Sequence, residues 1–228
     1  MESMNVIDAI KGRASKRKFL NRSVPKETIE KILEAAAMTP SGANMQPWTV
    51  YSVSNQEMLT NIGDAIIAHI DAGGDVDQHV QYYPLNWINP YKKRRILTGA
   101  GLYKLMEVDR HDDETRQKMW FDNYRWFGAQ NVFFVYIENE LINGAQGPLI
   151  DCGAYMQNLM LAAEGYGLGS VPQGSTTEYG KIISKVMGVP DNYSLLYSVV
   201  VGFEDTDAKI NTYQPKRVKM SDTVTFID

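Results

Sequence analysis

Between Leu149 and Ala163 the side chains are apolar almost all round a helix: Leu149, Ile150, Cys152, Tyr155, Met156, Leu159, Met160 and Leu161. A helix of this kind has no face to offer water, so it must lie in a core or against a second subunit. The rest of the chain has to be arranged around it. Gly165, Gly167 and Gly169 end it, and their place after a helix, not between a first strand and a helix, argues against a dinucleotide fingerprint. Two continuous apolar runs, Val132–Ile137 and Leu195–Phe203, read as strands covered on both faces.

Amphipathic helices are expected elsewhere. Val6, Ile7 and Ile10 mark a short first one. Pro25 suits the first position of a second, whose buried face is Ile29, Ile32, Leu33 and Ala36 and which should stop before Pro40. Residues 39–48 form a loop of turn formers leading into a strand at Thr49–Val53. Met58, Leu59, Ile62, Ala65, Ile66 and Ile70 mark a helix that Gly73 and Gly74 should end, and Tyr179, Ile182, Ile183, Val186 and Met187 a further one closed by Gly188. From Tyr82 to Phe127 the chain is rich in aromatic and charged residues and reads as helical excursions off the main core. The tail beyond Ala208 carries Val218, Val224 and Phe226, too apolar for a free end. With 228 residues, 44 % of them apolar and 22 % charged, one large domain is the better expectation than two small ones.

Several function classes drop out. A net charge of −4 does not suit a general nucleic-acid binder, which needs a positive field to displace counterions. No apolar run approaches membrane-spanning length. The single cysteine, Cys152, allows neither an intrachain disulfide nor a cysteine-built metal site, and it sits where packing is the expected role. His69, His79 and His111 lack the spacing of a helical metal pair, so no metal is expected. The segment from Met1 to Asn5 lacks the pattern of a signal peptide, and with one cysteine a cytoplasmic location is expected.

Arg13, Ser15 and Arg17 place two guanidinium groups and a hydroxyl within one short stretch, a chemistry suited to a phosphate. Alone it reads more readily as a solvated basic face. Near the other end Lys216 and Arg217 follow the rigid Pro215, so two remote segments could close on one anion. Lys16, Lys18 and Arg22 flank the first cluster and read as solubility charges.

These pieces fall into an ordered set: Arg13-x-Ser15-x-Arg17-x-Phe19; Ala35-Ala36-x-x-x-Pro40-Ser41-Gly42-x-Asn44-x-Gln46-Pro47-Trp48; Gly167-Leu168-Gly169-x-x-Pro172-Gln173-Gly174; and Asn211 with Arg217. The set resembles the nitroreductase family of flavin mononucleotide (FMN) flavoproteins over nearly the whole chain. Pro90-Tyr91-x-x-x-Arg95-x-x-x-Gly99 and Asn123-x-x-x-Phe127-Gly128-Ala129 are similar to a longer-insert branch containing nitrobenzoate-type reductases.

The resemblance implies an α+β fold with a central, mainly antiparallel sheet flanked by helices. It also implies a single FMN-binding domain, 1–228, with a helical insert around 75–128, intertwined as a homodimer. Arg13, Ser15 and Arg17 would hold the FMN phosphate and the polar edge of the ring, and Lys216 and Arg217 would complete the phosphate shell. Pro40, Ser41, Asn44 and Gln46 would reach the flavin from the partner subunit. Pro172, Gln173 and Gly174 would lie against the ring with a backbone N–H at N5, where Gly174 permits close approach. Some members carry an apolar residue, a glutamate and then glycine where this chain has Gln173-Gly174 after Pro172, leaving open which amide serves N5.

The implied activity is ping-pong electron transfer from NADH or NADPH to nitroaromatic or quinone-like acceptors, with the flavin carrying the chemistry and no catalytic side chain. A cation such as Arg17 would stabilise the negative charge that reduction places on the N1–C2=O edge. Tyr83, Trp87, Tyr91, Trp120, Tyr124 and Trp126 are the expected walls of the substrate pocket, because flat acceptors stack on flat side chains; for any one of them, ordinary packing is the equal alternative. Two readings compete: the same flavin fold acting as dehalogenase, ene reductase or flavin-destructase, or a non-catalytic module binding another phosphorylated ligand.

Overall fold

The structure, a computed structural model, describes residues 4–227. Met1 to Ser3, part of the segment read above as unlike a signal peptide, lie outside the described residues, as does Asp228. The elements in chain order are α1 (Val6–Gly12), α2 (Lys26–Ala37), β1 (Trp48–Val53), α3 (Gln56–Asp71), α4 (Tyr91–Leu105), α5 (Asp113–Phe121), β2 (Asn131–Glu138), α6 (Gly147–Gly165), β3 (Gly169–Gln173), α7 (Gly180–Met187) and β4 (Tyr193–Gly202).

The four strands make one antiparallel sheet in the order β1-β2-β4-β3. This is the α+β architecture expected, and its inner strand explains the apolar run. Along β2, Val132, Phe134 and Tyr136 point to one face and pack with Leu59, Ile62 and Ile66 of α3 and Ile183 of α7. Phe133, Val135 and Ile137 point to the other and pack with Ile29, Ile32 and Ala36 of α2 and with Cys152, Tyr155 and Leu159 of α6. Alternation delivers successive side chains to opposite faces, so a strand covered on both sides has no polar position to spare.

Caps set the boundaries. Asn55 accepts from the Met58 N–H at 2.9 Å to start α3, and Asp112 accepts from Thr115 at 3.0 Å to start α5. Pro25, expected as the first helical residue of α2, is instead the N-cap with extended backbone (ψ 138°), one position earlier than its fixed φ alone suggests. The glycine stop after α6 is a left-handed turn: Gly167 has φ +72°, and the Leu168 and Gly167 N–H groups return to the carbonyls of Ala163 and Glu164.

Within one chain α6 is covered on one side: Pro148, Cys152, Tyr155, Leu159, Met160 and Ala163 are buried, while Ile150 is 72 % exposed, so of the two settings expected for it the core accounts for one face alone. Val6, Ile7 and Ile10 of α1 are likewise exposed, as are Val218, Val224 and Phe226 of the tail. Neither α4 nor α5 buries a single residue. Among the described residues no helix is long and apolar enough to cross a membrane.

Candidate functional site

On leaving α1, the chain runs beside the edge of the sheet. Ser15 forms a parallel bridge with Ser170 of β3, and the Lys16 N–H donates to the Ser170 carbonyl at 3.0 Å. Asn211, from the far end of the sequence, then clamps the segment. Its Oδ1 accepts from the N–H of Arg17 at 2.6 Å and of Lys18 at 3.1 Å, and its Nδ2 donates to the carbonyls of Lys18 and Asp205. Two backbone N–H groups and two carbonyls are thereby paired by one buried side chain. The clamp fixes where Arg17 starts and where the tail begins.

From there the tail folds back. Tyr213 lies near Arg17 and donates its hydroxyl to the Thr98 carbonyl on α4 at 2.7 Å, and Arg217 comes within electrostatic reach of Arg13. Burial, then the neighbouring Arg217 cation, hold the Arg13 guanidinium below its ordinary value, with Glu164 pulling the other way. The Glu164 carboxyl is itself raised by burial, with Lys16 and Arg13 opposing. Arg13 Nη1 and Ser170 Oγ are buried without hydrogen-bond partners. A buried donor left unmade is costly, so an unpaired guanidinium N–H within electrostatic reach of a second arginine is a place an anion would be stabilised. Arg17 is pressed down by its own burial and its Nη1 donates weakly to the Ser15 carbonyl at 3.4 Å. Lys216 is exposed.

Pro172, Gln173 and Gly174 end β3. Gln173 is 3 % exposed and pinned at both ends of its amide, donating to the Asn123 carbonyl at 2.8 Å and accepting from Ser198 Oγ at 3.1 Å. Thr177 Oγ1 donates to the Gly174 carbonyl at 2.6 Å. The Gly174 φ of −75° is ordinary, so its lack of a side chain is required by space: a Cβ there would collide with the ring of Tyr82. Ser175 Oγ is likewise buried without a partner.

The Pro40–Gln46 loop lies elsewhere. Ser41 Oγ accepts from the Gln46 N–H at 2.9 Å, and the Gly42 N–H donates to Asp151 at the start of α6 at 3.0 Å. Ala43, Asn44 and Gln46 hold left-handed backbone, and Pro40, Asn44 and Gln46 are exposed. Arg13 neighbours Glu164 at the other end of α6. At ~1.5 Å per residue, Asp151 and Glu164 are about 20 Å apart along that helix. One chain therefore does not bring the loop to the arginine cluster.

The aromatic residues divide. Tyr124 and Trp126 are corrected: at 0 % and 3 % exposure they belong to the core, Tyr124 edge-on to Tyr179, Trp126 donating its indole N–H to the Leu59 carbonyl at 2.9 Å. Trp120 packs against the same cluster. Tyr83 and Trp87 instead form a ladder with Tyr82, the two tyrosines exposed and Trp87 half-buried, with centroids 4.9 Å apart from Tyr82 to Tyr83 and 5.9 Å from Tyr83 to Trp87; Tyr91 is exposed at the start of α4. Tyr82, Ser170 and Tyr213 were not legible as site residues, since only the fold brings them here. Two flanking cations are also corrected. Lys16 pairs with Glu204 at 2.8 Å, and Arg22 lies over the Phe203 ring at 3.8 Å. Cys152 is fully buried, its thiol pushed up to about 12 by burial, which fits packing and not nucleophilic chemistry. Among the described residues no group of three or more His, Cys, Asp or Glu is placed to hold a metal.

Fold and site together describe an α+β protein in which segments from near both ends of the chain meet beside an edge strand. The chain belongs to the nitroreductase family, whose model matches residues 10–203. It is 29 % identical to a 4-nitrobenzoate reductase of Nocardioides sp., over 100 % of this chain and 92 % of that protein. It is 30 % identical to the nitroreductase NfnB of Mycolicibacterium smegmatis, covering 95 % and 90 %. A crystal structure of an FMN and NADPH-dependent nitroreductase NfnB from a Sphingopyxis strain superposes with a TM-score of 0.93 at 28 % identity, over 99 % of this chain and 100 % of that one.

Proposed function

We propose that this chain is a homodimeric FMN oxidoreductase that passes electrons from NADH or NADPH to nitroaromatic or quinone-like acceptors by a ping-pong mechanism. The observation that carries the reading is Arg13 Nη1, buried and unpartnered, with Arg217 from the opposite end of the chain within its electrostatic reach. That donor set fits a dianionic phosphate, and Arg13, Ser15, Lys216 and Arg217 would hold it. Arg17, its backbone fixed by Asn211, would set its charge at the polar edge of the ring. Pro172, Gln173 and Gly174 would line the ring, with Gln173 locked so that the neighbouring amides keep their direction. When bound, the flavin supplies hydride acceptance and delivery, so donor and acceptor can use one face in turn.

The dimer is supported by the uncovered apolar sides of α1, α6 and the tail, and by the separation of the Pro40–Gln46 loop from the arginines. A second copy would lend Pro40, Ser41, Asn44 and Gln46 to the cradle. Residues 1–228 would act as one domain, the insert around 75–128 supplying Tyr83, Trp87 and Tyr91 as pocket walls, in a cytoplasmic enzyme. Purification tests the reading directly: yellow protein that releases FMN, is bleached by NADH or NADPH and is reoxidised by a nitroaromatic or quinone is expected. Protein that stays colourless with added FMN and shows no shift in Tm favours the phosphate-binding module. Flavin that bleaches but is not reoxidised by either acceptor favours dehalogenase, ene-reductase or flavin-destructase chemistry.

A further inference from the structure

A cavity of about 870 Å³ opens between α4 and the start of α5, lined among others by Trp87, Arg95, Tyr103, Lys104, Arg110 and Arg116 and by none of Arg13, Arg17 or Arg217. Its electrostatics are one-sided. Lys92 adds a fifth cation, Asp109 is the single acid of the lining, and among the described residues no carboxylate lies within ion-pair distance of Lys92, Arg95, Lys104 or Arg110. Arg116 bonds Asp113 and the Arg110 carbonyl through Nη1, yet its Nε is buried with no partner. Arg95 lies over Trp87 at 4.9 Å and Arg116 over Tyr103 at 5.3 Å, so rings and guanidinium planes are stacked in the wall. A solvated basic face needs neither a cavity nor an unpaired buried donor.

The cavity is joined to the flavin turn. From Gly174 the contacts run to Tyr82, then Tyr83, then Trp87, whose ring is shared between the ladder and the cavity. We propose that this cavity binds the anionic group of a ligand that has a flat ring beside its charge and whose other end reaches the flavin. Two ligands share that chemistry: the 2′-phosphoadenosine end of NADPH and a carboxylate-bearing aromatic acceptor. The inference rests on the proposed flavin function for its meaning but not for its test.

Calorimetric titration of the full-length protein with adenosine 2′,5′-bisphosphate and, separately, with 4-nitrobenzoate reads the cavity without turnover. At least one should bind, and its Kd should rise ten-fold or more in Arg95→Gln and in Arg116→Gln, with recovery in Arg95→Lys. The ligand that responds names the source; a responding bisphosphate also requires kcat/KM for NADPH to fall relative to NADH in the same variants. Absence of binding by both ligands, or Kd values that neither variant moves, overturns the proposal. Failure of the flavin reading looks different, as colourless protein whose ligand affinities still respond to Arg95 and Arg116.

Discussion

Each critical side chain in the cradle has a definable physical task. Arg13 has a buried guanidinium nitrogen without a partner, a cost that a bound phosphate would offset, and Arg217 would add a second charge to the same anion. Replacing either by alanine should weaken FMN binding roughly 10- to 100-fold, the equivalent of one charge-assisted hydrogen bond of about 1.5–3 kcal/mol; flavin titration into the apoprotein checks it, and an unchanged Kd removes that arginine from the site. Asn211 does a different job. Alanine there leaves the Arg17 and Lys18 N–H groups without a partner and takes one of two donors from each of the Lys18 and Asp205 carbonyls, which should cost about 2–4 kcal/mol and be visible as a lower Tm even without flavin. The sequence showed the chemistry of these residues but not this division of labour, because Asn211 stands 194 positions from Arg17 and only folding makes them neighbours.

Among the elements, α3 carries an instructive conflict between propensity and packing. Gly63 sits mid-helix, where alanine is ordinarily better by ~1 kcal/mol. A Cβ at this position would strike the Tyr124 backbone carbonyl, so Gly63→Ala should destabilise the fold, by about 1–3 kcal/mol, in denaturant unfolding. A second prediction concerns the strap before Tyr82. The Asp77 N–H donates to the Glu178 carbonyl, and Lys181 pairs with Asp77 at 2.9 Å. His79 Nδ1 accepts from the Leu195 N–H at 3.3 Å, which requires that nitrogen to be unprotonated. Burial, then Lys181, lower the proton affinity of His79, with Asp77 and Asp191 opposing. The unfolded chain therefore takes up a proton that the folded one resists. The stability contributed by the neutral ring is complete above about pH 6.5 and lost as pH falls below it. Thermal unfolding between pH 7.5 and 5.5 should show a decline in Tm that is smaller in His79→Gln; an equal decline in both would exclude His79 as the source.

For the whole molecule, the question is what covers α6. Its exposed Ile150, with Ile7 and Ile10 of α1 and Phe226 of the tail, is apolar surface of the kind a subunit interface removes from water. Ile150→Glu should shift sedimentation toward a monomer and, in parallel, reduce flavin content, because the Pro40–Gln46 loop would no longer be lent to a second copy. A wild-type chain that sediments as a monomer with full flavin would contradict the shared site.

Periodicity and local chemistry determined most elements of this protein by themselves; the short edge strand β3, with two glycines' worth of backbone freedom near its start and a proline within it, was not among them. The apolar runs of β2 and β4, the glycine stop at Gly167 and the helix faces of α2 and α3 each follow from rules acting over a few residues. The basic cluster and its tail counterpart were legible for the same reason, since charge and donor type belong to the side chain. Which aromatics face solvent and which fill the core was not, because Tyr83 and Tyr124 offer the same chemistry and differ only in what packs on them. The approach of Arg217 to Arg13, the Asn211 clamp and the distance between the Pro40 loop and the cradle were decided by the tertiary structure alone. They depend on how the strands order themselves around α6, and that order is a property of the whole core.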